Sequence, residues 1–131
     1  MSITAVLTCL VLLQIKHLIA DFIIQPESWF STKSQYSGRG GILHAAVHAA
    51  LTFAVLLVCG QGLVAILLVS VIEGVIHHFI DWCKASVVVR EKLTTQHKRF
   101  WWFFGIDQAL HHLTYIGIVW WVYTQSQSLG V

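Results

Sequence analysis

Charged residues are scarce in this chain, at 11% of 131 residues, where ordinary soluble domains carry about 25%. Too few are present to cover a water-facing surface, which excludes a soluble globule. Eight Lys/Arg against six Asp/Glu leave a formal charge of +2, too small for the basic footprint of a nucleic-acid binder. Pro26 is the only proline and glycine stands at nine, excluding collagen-like and Pro-rich disordered chains. Cys9, Cys59 and Cys83 are odd in number and widely spaced without a C-x-x-C. They suggest neither a disulfide framework nor a zinc ribbon, and read as small apolar fillers. There is no G-x-S-x-G, H-E-x-x-H or P-loop.

What remains is apolar and rich in histidine. Hydrophobic residues make up 56% of the chain and histidines number eight; the mean hydropathy is +0.72. The length suits one domain, residues 1–131. Four apolar stretches run over about residues 3–24, 42–59, 63–82 and 101–123, each near the ~20 residues that cross a hydrocarbon core. The first lacks a basic leader, and Lys16, His17 and Asp21 interrupt it, so it reads as a retained span rather than a signal peptide. The expected fold is an all-α, integral membrane bundle of four transmembrane helices.

The connections set the expected orientation. Gly60-Gln61-Gly62 is a tight turn between the second and third spans, which makes them antiparallel neighbours. Pro26 stops the first helix, and the residues after it open a short interfacial helix. Lys33 and Arg39 lie in the first long connection, and Lys84, Arg90, Lys92, Lys98 and Arg99 in the second, from 83 to 100. By the positive-inside rule both long loops face the cytoplasm and both termini face outward. Trp29, Trp82, Trp101 and Trp102 would mark the inner interface, and Trp120, Trp121 and Tyr123 the outer one.

Ionisable side chains inside the spans recur at a spacing of four: His17/Asp21, His44/His48, Glu73/His77/Asp81 and Asp107/His111. Such a separation returns to the same helix face, and intramembrane charges normally face a bundle interior. In an up-down-up-down bundle the four sets share one depth, near the cytoplasmic side. Imidazole and carboxylate together suit zinc, iron or manganese. The expected ligands of one or two divalent ions are His17, Asp21, His44, His48, His77, Asp81 and His111. Glu73 and Asp107 are candidate general bases, and Lys84 is placed to orient an anionic substrate group or neutralise a carboxylate. A lone His in a membrane helix serves more often as interhelical glue, but glue needs no common depth. Lys16 falls about 100° from His17 and about 140° from Asp21 around the helix. It lies off the seam, pointing to a tilted first helix or a partner chain. His78 and His112 are also off their seams and are expected to face headgroups or a partner. His97 reads as a solvated loop residue.

The series His17-x-x-x-Asp21-Phe22-x-x-Gln25-Pro26, Lys33, His44-x-x-x-His48, His77-x-x-x-Asp81-x-x-Lys84 and Asp107-Gln108-x-x-His111 resembles the small bacterial membrane proteins catalogued as domain of unknown function 3307. The likeness covers nearly the whole chain. It implies a multi-pass protein of the bacterial inner membrane and carries over no catalytic residues.

Three functions stay open. The first is a metal-dependent hydrolase acting on a lipid or lipid-linked substrate. The second is a proton or metal transporter or sensor. The third is a scaffold subunit whose His/Asp pairs are glue. The expected partners are membrane lipids and a second copy or another membrane protein, with no nucleic acid.

Overall fold

The computed structural model describes residues 2–128, and among them every regular element is helical. Met1 and Leu129–Val131, the ends of the expected domain, lie outside the described residues. The first helix, α1 (Ile3–Leu18), starts on Ser2, whose side chain accepts from the Ala5 amide at 3.2 Å. It runs into a π-helical turn, Ile19–Ile23, closed by the Ile24 N–H on Ile19 O at 3.0 Å. A short α2 (Glu27–Phe30) follows Pro26. Three long helices complete the chain: α3 (Arg39–Val58), α4 (Leu63–Arg90) and α5 (Lys98–Ser128).

Two of these helices end in the same hydrogen-bonded cap. After α3, the Gly60 N–H bonds Leu57 O and the Gln61 N–H bonds Leu56 O, with Gly60 at φ 73°. This is a Schellman closure, which needs a left-handed residue. After α4 the same pattern joins Lys92 to Val89 and Leu93 to Val88, but the left-handed position, φ 51°, falls to a lysine. Helix α4 ends at Arg90, eight residues beyond the expected end of the third span at Trp82. Ala85, Val87, Val88 and Val89 keep the stretch apolar and α4 intact, so most of the expected loop 83–100 is helix.

The four long helices form a closed ring: α1 packs on α3 and α5, and α4 packs on α3 and α5. Contact is most extensive between α3 and α4, where small residues bring the backbones together. A Cβ built on Gly74 would lie 3.1 Å from Ala49 Cβ and 3.3 Å from Ala45 O. One end of the interior is apolar, with Cys9, Leu13, Leu56, Ile66, Ile118, Val119 and Val122 packed together. The other end is polar: Lys16, His17, Lys33, His44, His48, Glu73, His77, Asp81, Asp107 and His111 are all buried there.

The outside is the reverse. Leu7, Val11, Ile15 and Leu18 on α1, and Leu67, Leu68, Val71, Ile72, Val75 and Phe79 on α4, are exposed. In water each side chain would forgo roughly 1.5–3 kcal/mol of burial; lipid tails remove that penalty. Ile3–Ile23, Arg39–Val58 and Leu63–Arg90 are long and apolar enough to cross a membrane. Helix α5 is long enough but less apolar, because its sequence spends positions on Gln108, His111, His112 and Thr114. A polar interior within an apolar exterior suggests membrane association.

Candidate metal centre

Every long helix contributes to the polar interior through its own four-residue repeat. Helix α4 turns Glu73, His77 and Asp81 inward, α3 turns His44 and His48, and α5 turns Asp107 and His111. Asp21 comes from the π-helical turn. A turn closed over five residues advances less per residue than an α-turn. Asp21 therefore falls more nearly beneath His17 than the α-helical increment would place it. Its Oδ1 meets His48 Nε2 at 2.9 Å and His44 Nε2 at 3.0 Å, and its Oδ2 lies 3.3 Å from His17 Nε2.

Two sets of ligand atoms converge. Asp21, His44, His48 and His77 each bring one donor atom within 4.8 Å of the others, as do His77, Asp81 and His111. His77 belongs to both. Its ring is stacked 3.5 Å from His48 on one side and 4.0 Å from His111 on the other. Neither ring nitrogen of His44 or His77 has a hydrogen-bond partner, nor does His111 Nε2. His44 Nε2 is close to Asp21 and, at 3.4 Å, to Asp81, yet not aligned to donate to either. A buried polar atom left unpaired costs about 1–3 kcal/mol. With one ligand atom from each residue, Asp21, His44, His48 and His77, and likewise His77, Asp81 and His111, form donor sets that could hold a divalent transition-metal ion.

The other expected site residues occupy different positions. His17 stands outside both sets, its Nδ1 2.9 Å from Tyr115 Oη and its Nε2 3.1 Å from Gln108 Oε1. Glu73 Oε1 accepts from Lys16 at 2.9 Å and Oε2 from Thr52 at 3.2 Å. Asp107 Oδ2 accepts from Lys84 at 3.2 Å, while Oδ1, 3.7 Å from His111 Nε2, is unpaired. Lys84 thus neutralises a carboxylate.

One sequence expectation is corrected. Lys16 is not turned away from the interior but buried in it, against Glu73 and 3.1 Å from His48 Nδ1. The helix points both Lys16 and His17 inward because α1 is flanked by α3 on one side and α5 on the other. Lys33, in the first long connection, reaches Asp81 Oδ2 at 2.5 Å and Gln25 Oε1 at 3.0 Å. The segment bearing it folds back against the start of α3, where a Cβ on Gly40 would collide with the Trp29 backbone and the Thr32 hydroxyl. His78, off its seam, has its Nε2 2.8 Å from Tyr36 O. His112 stacks edge-on to His17 at 5.6 Å, and His97 Nδ1 accepts from the Thr94 amide at 2.9 Å. The missed signal for Lys33 was charge balance. Four interior carboxylates call for cations, and Lys16, Lys33 and Lys84 answer three of them.

Residues 9–130 match the family described as "Protein of unknown function (DUF3307)". The chain belongs to this family. Among curated proteins and among solved structures, no significant match is found. The family description names no activity, so what the site does rests on its own chemistry.

Proposed function

We propose that this member of the family is a four-span membrane protein that binds one or two divalent ions at the His/Asp centre. We further propose that it uses them to hydrolyse a lipid or lipid-linked substrate at the cytoplasmic leaflet of the bacterial inner membrane. The five unpaired imidazole nitrogens beside Asp21 and Asp81 carry this reading. Asp21, His44, His48 and His77 would hold one ion and His77, Asp81 and His111 another. A neutral His77 would ligate one ion at a time, so a second ion would rest on the remaining residues of its set. A bound divalent ion lowers the pKa of water to ~7 and polarises a phosphoryl or carbonyl oxygen. The free Oδ1 of Asp107 is the better-placed general base, since Glu73 is already held by Lys16 and Thr52.

The orientation follows from the exposed basic residues. Arg39, Arg90, Lys92, Lys98 and Arg99 all lie at the polar end of the bundle, which by the positive-inside rule supports a cytoplasmic position for that end. Helix α5 is the fourth span; its outward Ile106, Leu110, Leu113, Ile116 and Trp120 continue the lipid-facing surface. Transport is less well supported, because the cluster at the other end is apolar apart from the Tyr115 hydroxyl, which faces His17. Simple glue is disfavoured as well, since glue would use the nitrogens that are unpaired.

Elemental analysis of detergent-purified protein after loading with zinc, iron or manganese tests the metal reading. One or two ions per chain are expected in the wild type and none in His77→Ala, with His97→Ala unchanged. A folded wild type that holds no ion overturns it. The hydrolase reading requires turnover of a membrane lipid that Asp107→Asn loses while keeping its metal. A loaded protein that cleaves nothing across the lipids of its own membrane refutes that reading.

A further inference from the structure

The polar end of the bundle holds a second feature beside the His/Asp centre. The segment after α2, the last turns of α4 and the start of α5 enclose a cavity of about 290 Å³. Phe30, Val88, Phe100 and Phe104 wall it, and Lys33 and Lys84 supply its charge. These lysines come from elements remote in sequence, and each lies against an aromatic ring. Lys33 Nζ is 5.7 Å from the Phe30 centroid and Lys84 Nζ 5.5 Å from that of Phe104.

We propose that this cavity receives the phosphate of an anionic membrane lipid, its acyl chains leaving along the apolar wall. The proposal rests on the metal-dependent reading above and names the substrate class of that site. An ammonium has three donors. Lys33 directs its donors to Asp81 and Gln25, and Lys84 directs one to Asp107, so both have capacity for an incoming oxyanion. The aromatic and valine walls fit hydrocarbon and suit no small hydrophilic anion. Asp81 and Asp107, which hold the two lysines, are also the carboxylates beside His111. A phosphate seated on the lysines is therefore one carboxylate away from the ligand set of His77, Asp81 and His111. Depth agrees. The exposed Arg90, Lys98, Arg99, Trp101 and Trp102 lie at the same end, where basic residues gather anionic headgroups and tryptophan marks the interface.

The test is retention of lipid by protein reconstituted with equal amounts of phosphatidic acid and phosphatidylcholine, then re-extracted in mild detergent and weighed by native mass spectrometry. The expected result is a preference of about tenfold or more for phosphatidic acid. It should fall to near parity in Lys84→Gln and stay unchanged in Lys92→Gln, which alters an exposed charge at the same end. Val88→Trp fills the cavity and should lower retention of phosphatidic acid while leaving Lys84 in place. Equal retention of both lipids by the wild type overturns the proposal. So does a preference that survives both Lys84→Gln and Val88→Trp, which would assign it to the exposed basic residues. Metal content measured on the same samples separates the two readings. Lipid preference without metal removes only the metal site, and metal without lipid preference removes only the lipid site.

Discussion

The Lys16–Glu73 pair allows the buried network to be tested apart from any activity. Its atoms are 2.9 Å apart, with side-chain exposures of 4% and 1%. At an effective dielectric of about 20 the attraction at that distance is roughly 6 kcal/mol. Most of it offsets the cost of taking two charges out of water. The net worth of the pair is therefore small, while either charge left alone is expensive. Lys16→Met strands the Glu73 carboxylate with Thr52 as its remaining donor, and Glu73→Met strands the ammonium beside His48. Each should cost about 3–5 kcal/mol. The double variant removes both charges and should return to within about 1 kcal/mol of wild type, a coupling of roughly 5 kcal/mol or more. Reversible unfolding in mixed micelles titrated with SDS, followed by far-ultraviolet circular dichroism, reads all four corners of the cycle. Single variants that lose under about 1 kcal/mol would behave as an exposed pair does. That outcome, or a double variant as unstable as the sum of the singles, refutes the buried pairing.

Two further perturbations probe how the site is assembled. Gly40→Val forces a side chain into the Trp29 backbone and the Thr32 hydroxyl, so the segment carrying Lys33 must lift away. Strain of this kind costs typically about 1–3 kcal/mol, and protease cleavage between 25 and 38 should quicken while the four long helices persist; unchanged cleavage would contradict the packing. Lys92→Gly relieves the left-handed lysine in the α4 cap and should raise unfolding stability by about 0.5–1 kcal/mol. A loss of stability on the same titration would show that the lysine side chain contributes more than its backbone costs.

Much of the site was legible in the chain because helical periodicity is a local property. Seams such as His44/His48 and Glu73/His77/Asp81 follow from a spacing of four whatever packs against them. Their common depth followed from span order, and the structure brings Asp21, His44, His48, His77, Asp81 and His111 together. What escaped was whatever depends on a neighbour. Whether Lys16 faces inward turns on α1 being flanked by two helices, and one residue of phase moves a side chain by about 100°. Its partner Glu73 is 57 residues away.

Composition and spacing by themselves determined an apolar helical chain with imidazoles and carboxylates gathered near one end. Only the tertiary structure decided which carboxylate each lysine neutralises and which nitrogens are left unpaired. The π-helical turn at Asp21 and the folded-back segment that delivers Lys33 to Asp81 were likewise decided there. The reason is physical. Intrahelical spacing is set by backbone hydrogen bonds that every sequence shares, whereas a charge pair across the bundle depends on which helices are adjacent. In a low-dielectric interior that choice is enforced, because a buried charge without its partner costs several kcal/mol.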